Sequence, residues 1–433
     1  MRKNLQVIKM ISVPGIVLFC SILAIAQPND WTKYEENPVL SSPLWGEGAF
    51  YSAVLYEDNI YKIWYSSVDG SSTSVAYAES DDGINWVISL KKEIEGNEGG
   101  SWQTYKGPGT VLRVNDTLRM WYTGSSDGFN IDMAVGYAYY DESLEDWIVA
   151  EDPVLEGTSG TWDAQGVVGP AVYFNDGVYH MWFHGFEGPS LYADCGIGHA
   201  TSTNGVDWEK DPLPVMNTGP SGSFYNTWNI SDCVQYLCDE DGICQYYLWF
   251  SGWDGIQSPF NFRIGYATSP DGINWTVGND DLCVLDIGQA GSWDSREVRM
   301  AAVHSVNDTL RMFYSGINNT SGWNNYEIGY AWCYFPDINP WTVEYRNTEV
   351  IDTYVAPNPC TNTTFINYTL KEPASIKIGI FNYLGQEIET IEEGYTTAGT
   401  HRLSWNAEGL PSGIYYYRLI AEENNATGKI IKQ

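Results

Sequence analysis

Four carboxylates recur at related places along this chain: Glu47 in WGEGAF, Asp163 in GTWDAQG, Asp232 in NISDC and Glu297 in SREVR. Paired carboxyl groups suit cleavage of a glycosidic bond. One, protonated, gives its proton to the leaving oxygen, while the other serves as base or nucleophile. Crowding such groups together pushes their pKa values apart. Arg296 and Arg299 flank Glu297, and a guanidinium fork there could hold a carboxylate, a uronic acid or a phosphate. Gln103, Lys106, Gln165, Asn229 and Asp294 fall in the same register. The alternative is that these polar groups only hydrogen-bond one another and water. His184 is a candidate sugar contact or a satisfied structural histidine. Phe129, Trp228, Trp253, Phe260 and Trp323 lie in irregular loops, where flat rings could stack on the apolar faces of sugars. No HExxH, GxSxG or phosphate loop occurs. The acidic turns DEDG at 239 and GNDD at 278 are candidate calcium ligands without the spacing of a defined loop. The glycosidic chemistry needs no cofactor.

What positions these residues is a repeat. SDDGINW at 80–86 returns as STNGVDW at 202–208 and SPDGINW at 269–275, with degenerate relatives ending at Trp147 and Trp341. The closing tryptophans, Trp86, Trp147, Trp208, Trp275 and Trp341, lie 61, 61, 67 and 66 residues apart. Before each comes a VAYA or IGYA-like marker, and before that IWY at 63, MWY at 120, MWF at 181, LWF at 248 or MFY at 312. GSW at 100, GTW at 160, GSF at 222 and GSW at 291 open the units, with Trp45 at the matching place in the first. A period near 60 residues, held five times, signals an array or propeller. Short alternating runs bounded by Asp-Gly, Asn-Asp and Gly-Ser turns predict strands and hairpins with little room for helix. Four strands per unit, closed radially, make a propeller blade. The expectation is all-β: a five-bladed β-propeller at 27–345, a linker at 346–356 and a small β-sandwich at 357–433.

The markers MWYxG and IGYAxSxDGxxW resemble the five-bladed propellers of the arabinanase, levansucrase and invertase superfamily, which includes glycoside hydrolase families 43, 32 and 130. The resemblance covers residues 31 to about 345. It implies a carbohydrate-active protein that cleaves a polysaccharide or oligosaccharide by hydrolysis or phosphorolysis. The competing expectation is a catalytically silent propeller that binds glycan or protein at the cell surface. Family 43 places an Asp base on blade one, an Asp on blade two and a Glu acid on blade three. Here blade one offers Glu47, blade two no carboxylate, and blade three Asp163. Neither that trio nor the family 32 sequences WMNDPNG, RDP and EC transfer, so Glu47, Asp163, Asp232 and Glu297 rest on register alone. The tail segments IKIGIFNYLGQEI, LPSGIYYYRL and TGKIIK, with Gly428, Lys429 and Lys432, resemble the type IX secretion C-terminal sorting domain of Bacteroidetes-like bacteria. That resemblance implies handling by the type IX machinery and release from, or attachment to, the cell surface.

The chain ends and the composition fit export. Arg2, Lys3 and Lys9 precede an apolar run and the small-x-small site Ala24-Ile25-Ala26, which reads as a signal peptide cut after Ala26. No other stretch is long and apolar enough for a transmembrane helix. A formal net charge of −33 argues against nucleic acid or an anionic membrane as partner. Of eight cysteines, Cys20 leaves with the signal, and seven is odd, so at least one lacks a partner in the chain. Cys238 and Cys244 flank a turn and are the best pair for a cross-hairpin disulfide. Cys195, Cys233, Cys283 and Cys333 could pair in ways that spacing does not fix.

Overall fold

The computed structural model describes residues 27–41, 48–69, 72–97, 101–126, 133–188, 195–238, 244–255, 260–306, 308–318, 325–335, 353–370, 373–382, 387–421 and 424–433. It divides into two compact units, Met1–Glu344 and Tyr345–Gln433. Among the described residues the elements are strands, with the 3-10 turn Asn279–Asp281 beside them. Expected residues 1–26, Trp45, Glu47, Phe129, DEDG at 239, Trp323 and Trp341 lie outside the described residues.

The first unit is a five-bladed β-propeller of antiparallel sheets. Blade 1 is Ala49–Glu57, Ile60–Asp69, Ser72–Ser80 and Val87–Ile88; blade 2 is Tyr105–Val114, Thr117–Ser125, Ala134–Asp141 and Asp146–Val149. Blade 3 is Gly166–Asn175, Val178–Phe186, Cys195–Ser202 and Glu209–Lys210, with Met216–Asn217 on the third strand. Blade 4 is Trp228–Cys238, Cys244–Trp253, Arg263–Ser269 and Thr276–Val277. Blade 5 is Glu297–Val306, Thr309–Ile317 and Glu327–Tyr334, and its outer strand is Thr32–Lys33 from the start of the unit. The ring is therefore closed by hydrogen bonds between its two ends, which removes a sheet edge.

The marker run explains the packing. In Ile63-Trp64-Tyr65, side chains alternate across the sheet. Ile63 and Tyr65 join the apolar layer shared with blade 5, while Trp64 joins the layer shared with blade 2. Met120 and Tyr122 likewise face blade 1, and Trp121 faces blade 3. Both faces of each middle strand are buried, so these strands read as continuous apolar runs. The repeated turn is an interblade lock. Ser80 Oγ accepts from the backbone N–H of Gly83 at 2.9 Å, and Asp82 Oδ1 accepts from those of Ile84 and Asn85, both at 2.8 Å. Gly83, Gly205 and Gly272 have φ of 78°, 80° and 76°, values that glycine adopts without a Cβ clash. The turn also presents a carbonyl to the preceding blade. Trp121 Nε1 donates to Gly205 O and Trp182 Nε1 to Gly272 O, each at 2.8 Å. Both donors are indoles of the second marker, so the two repeated sequences are partners across a blade boundary.

Each inner strand carries a bulge at one place in the repeat: Phe50/Ser52, Pro108/Thr110, Val168/Ala171, Ser231/Cys233 and Arg299/Ala302. Tyr51 and Met300, at two of these bulges, have φ of 49° and 57°. A non-glycine residue there costs on the order of 1 kcal/mol and persists only where its surroundings fix it. The Cys238–Cys244 disulfide forms across its hairpin as expected, with a Cα–Cα distance of 3.9 Å. Cys233, Cys283, Cys333 and Cys360 are free thiols.

The second unit is a β-sandwich. One sheet orders Thr353–Ala356, Thr363–Leu370 and Gly399–Asn406; the other orders Glu387–Thr396, Ala374–Asn382, Gly413–Ala421 and Asn424–Lys432. Ile366, Tyr368 and Trp405 of the first sheet pack with Ile376, Ile378 and Leu419 of the second. The stretch expected as a linker thus ends in a strand, Thr353–Ala356, which pairs with Thr363–Leu370.

Candidate functional site

The polar register separates in space into three sets with different work. The first follows the aromatic opener of blades 2 to 5 and clamps it to the outer strand or the segment just after it. Gln103 Nε2 donates to Ala150 O at 2.8 Å. Tyr225 OH donates to Asp281 Oδ1 at 2.7 Å. Asp163 Oδ2 takes Lys210 Nζ at 2.5 Å, and its Oδ1 accepts from Thr158 N at 3.1 Å and from the Thr161 hydroxyl. Asp294 repeats this with Lys33 at 2.6 Å, Ser292 Oγ at 2.9 Å and Tyr314 OH at 3.2 Å. Both oxygens of Asp163 and of Asp294 are engaged, each carboxylate by a cation and further donors. In GNDD, Asp281 is bound up in the clamp, and among the described residues no group of His, Cys, Asp or Glu could hold a metal ion.

The second set lies two residues after the marker Trp and ties blades 1 to 4 each to the next. Ser66 Oγ donates to Lys106 O at 2.7 Å, and Thr123 Oγ1 accepts from Gly169 N at 3.0 Å. His184 holds the same position in blade 3. Its Nδ1 lies 2.5 Å from Asn229 O, and Trp228 Nε1 donates to its Nε2 at 2.6 Å. A carbonyl on one side and an N–H on the other assign the neutral tautomer with the proton on Nδ1. Burial pushes its pKa down to about 3. His184 is therefore a satisfied interblade staple. Lys106 and Asn229, one further repeat position, also work inside the sheet. Lys106 Nζ donates to Glu95 O at 2.9 Å and Gln103 O at 2.7 Å, and burial lowers its pKa to about 8. Asn229 Nδ2 donates to Asn217 O at 3.0 Å.

The third set stands at the centre. Phe50, Met133, Val168, Trp228, Ile230, Phe262, Met300 and Tyr326, with Tyr51, form one apolar cluster to which all five blades contribute. The polar members from blades 4 and 5 are set against it. Asp232 Oδ2 accepts from Ser251 Oγ at 2.7 Å and from Ala301 N at 3.1 Å. Its Oδ1 is buried with no hydrogen-bond partner. Burial, opposed in part by these bonds and by Arg299, raises its pKa to about 7. Glu297, 2% exposed, accepts from Tyr326 OH through Oε1. Arg296 Nη1 lies 3.7 Å from Oε1 and Arg299 Nε 4.0 Å from Oε2. The Arg299 guanidinium sits 5.1 Å from the ring centres of both Phe262 and Tyr326, a double cation–π contact. Tyr51 faces Arg299 and Asp232, and burial holds its phenol up at about 12.

Of the residues singled out by sequence, Asp232, Glu297, Arg296 and Arg299 come together; Asp163 does not join them. Trp228 and Trp253 are register partners and converge on one aromatic group: Trp228 lies 4.7 Å from Phe262, and Trp253 4.8 Å from Phe260. Tyr51, Ser251, Phe262 and Tyr326 escaped the sequence reading. Ser251 had a signal, because a small hydroxyl follows the marker in IWYS, MWYT, LWFS and MFYS.

This architecture has known counterparts. A glycosyl hydrolase from Bacteroides ovatus matches with a TM-score of 0.54 at 14% identity, over 73% of this chain and 97% of that one. A β-1,2-mannobiose phosphorylase from Listeria innocua matches with a TM-score of 0.51 at 13% identity, over 70% and 96%. A third structure, described under a family 130 of mannoside phosphorylases containing hydrolases that target β-1,2-mannosidic linkages in Candida mannan, matches with a TM-score of 0.54 at 16% identity, over 75% and 96%. At such identities the likeness establishes the propeller fold. The second unit is identified by sequence. Residues 354–433 match the secretion system C-terminal sorting domain. Such a domain indicates export by type IX secretion, and no helix among the described residues is long and apolar enough to cross a membrane. No curated protein matches the chain.

Proposed function

We propose that this is an exported glycoside hydrolase-like enzyme acting on a polysaccharide or oligosaccharide, with Asp232 as general acid and Glu297 as the second carboxylate. The observation that carries the reading is the unequal pair at the centre. One carboxyl is pushed toward neutrality, with an unpartnered oxygen, and the other lies beside two guanidinium groups. A buried polar atom left unpaired calls for an explanation, and a ligand hydroxyl or leaving oxygen supplies one. Asp232 gives its proton to the glycosidic oxygen as that C–O bond breaks. Water adds its hydroxyl to the anomeric carbon and leaves its other proton on Glu297. The likeness to glycosyl hydrolase and mannoside phosphorylase structures supports the class of reaction. Residues 1–26 act as the export signal, and the sorting domain delivers the propeller beyond the outer membrane to its glycan.

The test is incubation of the mature chain with plant, algal and host glycans, with and without phosphate, followed by mass spectrometry of products. A new oligosaccharide that Asp232→Asn or Glu297→Gln reduces at least about 100-fold supports the enzyme. A binding-only propeller is favoured by one observation, the apolar cluster that all five blades send into the centre. Retardation on one polysaccharide in an affinity gel, with no product anywhere in the panel, would establish that reading instead.

A further inference from the structure

The staple position has an added task in blade 4. Ser66 and Thr123 hold backbone atoms of the next blade. Ser251 also holds a backbone atom, accepting from Met300 N at 2.9 Å, but its hydroxyl simultaneously reaches Asp232 Oδ2 at 2.7 Å. A hydroxyl carries a single proton, and a backbone N–H can only donate. The Met300 amide therefore occupies one of the two lone pairs of Ser251, and the hydroxyl proton points at Asp232 Oδ2, the acceptor it meets in the structure. Ala301 N donates to the same oxygen at 3.1 Å. Oδ2 thus receives two donors, and a proton of its own would face the hydroxyl proton head-on. The neutral carboxyl has to carry its hydrogen on Oδ1, the oxygen with no hydrogen-bond partner. The amides that impose this arrangement, Met300 and Ala301, belong to the blade 5 bulge, where Met300 has a φ of 57°. Bulges of this kind re-aim groups next to active sites.

We propose that Ser251 is a positioning residue that fixes the acid proton of Asp232 on Oδ1. This rests on the reading of Asp232 as general acid. The charged and titratable groups that face Asp232 are Arg299 on the blade 5 inner strand, Tyr51 on the blade 1 inner strand and Cys233 on its own strand. None of them supplies the directional bond that Ser251 makes.

The experiment titrates the Asp232 side-chain carbon by NMR in the full mature chain, in wild type and in Ser251→Ala, Ser251→Cys and Ser251→Thr. The Ser251 bond favours the ionised form, so its loss raises the Asp232 pKa. Ser251→Ala titrates higher than wild type, Ser251→Cys falls between because a thiol donates weakly, and Ser251→Thr returns to wild type. Threonine fits, since Thr123 occupies the same repeat position in blade 2. On a cleaved glycan, Ser251→Ala lowers kcat about tenfold or more with little change in KM, moves the basic limb of the pH profile upward, and Ser251→Thr recovers both. An Asp232 titration unchanged in Ser251→Ala overturns the proposal. If that variant does not fold, an unchanged titration in Ser251→Cys does so. Full activity in Asp232→Asn, with the Ser251 titration shifts present, removes the acid role and leaves the positioning intact, so the two failures are distinguishable.

Discussion

Asp163 and Asp232 are both buried aspartates near the start of an inner strand, and their surroundings make them opposites. Asp163 meets a lysine and two further donors, so each oxygen is engaged. Asp232 meets two neutral donors on one oxygen and none on the other. Asp294 repeats the first pattern in blade 5, a few residues before Glu297 of the centre. Burial alone does not mark a functional carboxylate. The number of donors it collects does, because a fully satisfied group has nothing left to offer a ligand.

The largest effect that could break this contrast comes from a substitution at the clamp. Lys210→Met strands Asp163 as an uncompensated buried charge and is expected to cost about 3 kcal/mol in urea denaturation. It should leave kcat on any cleaved glycan nearly unchanged below the melting transition. Loss of activity without loss of stability in Lys210→Met would erase the division into clamp and centre.

Next in size is a pH effect. The Asp232 pKa is about 7 in the fold against an ordinary 3.8. The folded chain therefore holds a proton that the unfolded chain releases. The stability this contributes is present below about pH 4 and is lost as pH rises through about 7. Asp232→Asn removes that loss, so its denaturation midpoint should gain on wild type between about pH 5 and pH 8. A parallel pH dependence in the two proteins would mean that Asp232 is ionised throughout.

The smallest expected change sharpens the comparison at the blade boundaries. Trp182→Phe keeps most of the buried ring and removes the bond to Gly272 O. It should cost about 1–2 kcal/mol in urea denaturation, with the centre unaffected. A cost near zero would assign the repeated turn to its own blade alone.

Much of the propeller was legible in advance because its signals are local. Asp-Gly and Asn-Gly turns, strict alternation in IWY and MWY runs, and a constant spacing of tryptophans state the strands and their number. The outer strand of blade 5 was not legible, because Thr32–Lys33 lies at the far end of the unit from the strand it pairs with. The site was half legible. Asp232, Glu297, Arg296 and Arg299, named by register, lie together in the fold, while Asp163 sits at a clamp. Tyr51, Ser251 and Tyr326 were hidden among repeat residues whose work differs from blade to blade.

By itself, then, the sequence determined the blade count, the turn chemistry, the Cys238–Cys244 bridge and the sorting tail, all of which depend on neighbours in the chain. Only the tertiary structure decided which carboxylates are spoken for. Each inner strand skips a pairing at its bulge, after Phe50, Pro108, Val168, Ser231 and Arg299. Where side chains alternate, such a shift redirects everything beyond it. The partners that Asp163 and Asp232 then meet differ: Lys210 comes from the outer strand of the blade, and Ser251, on the neighbouring hairpin strand, is held at once by Met300 of the next blade.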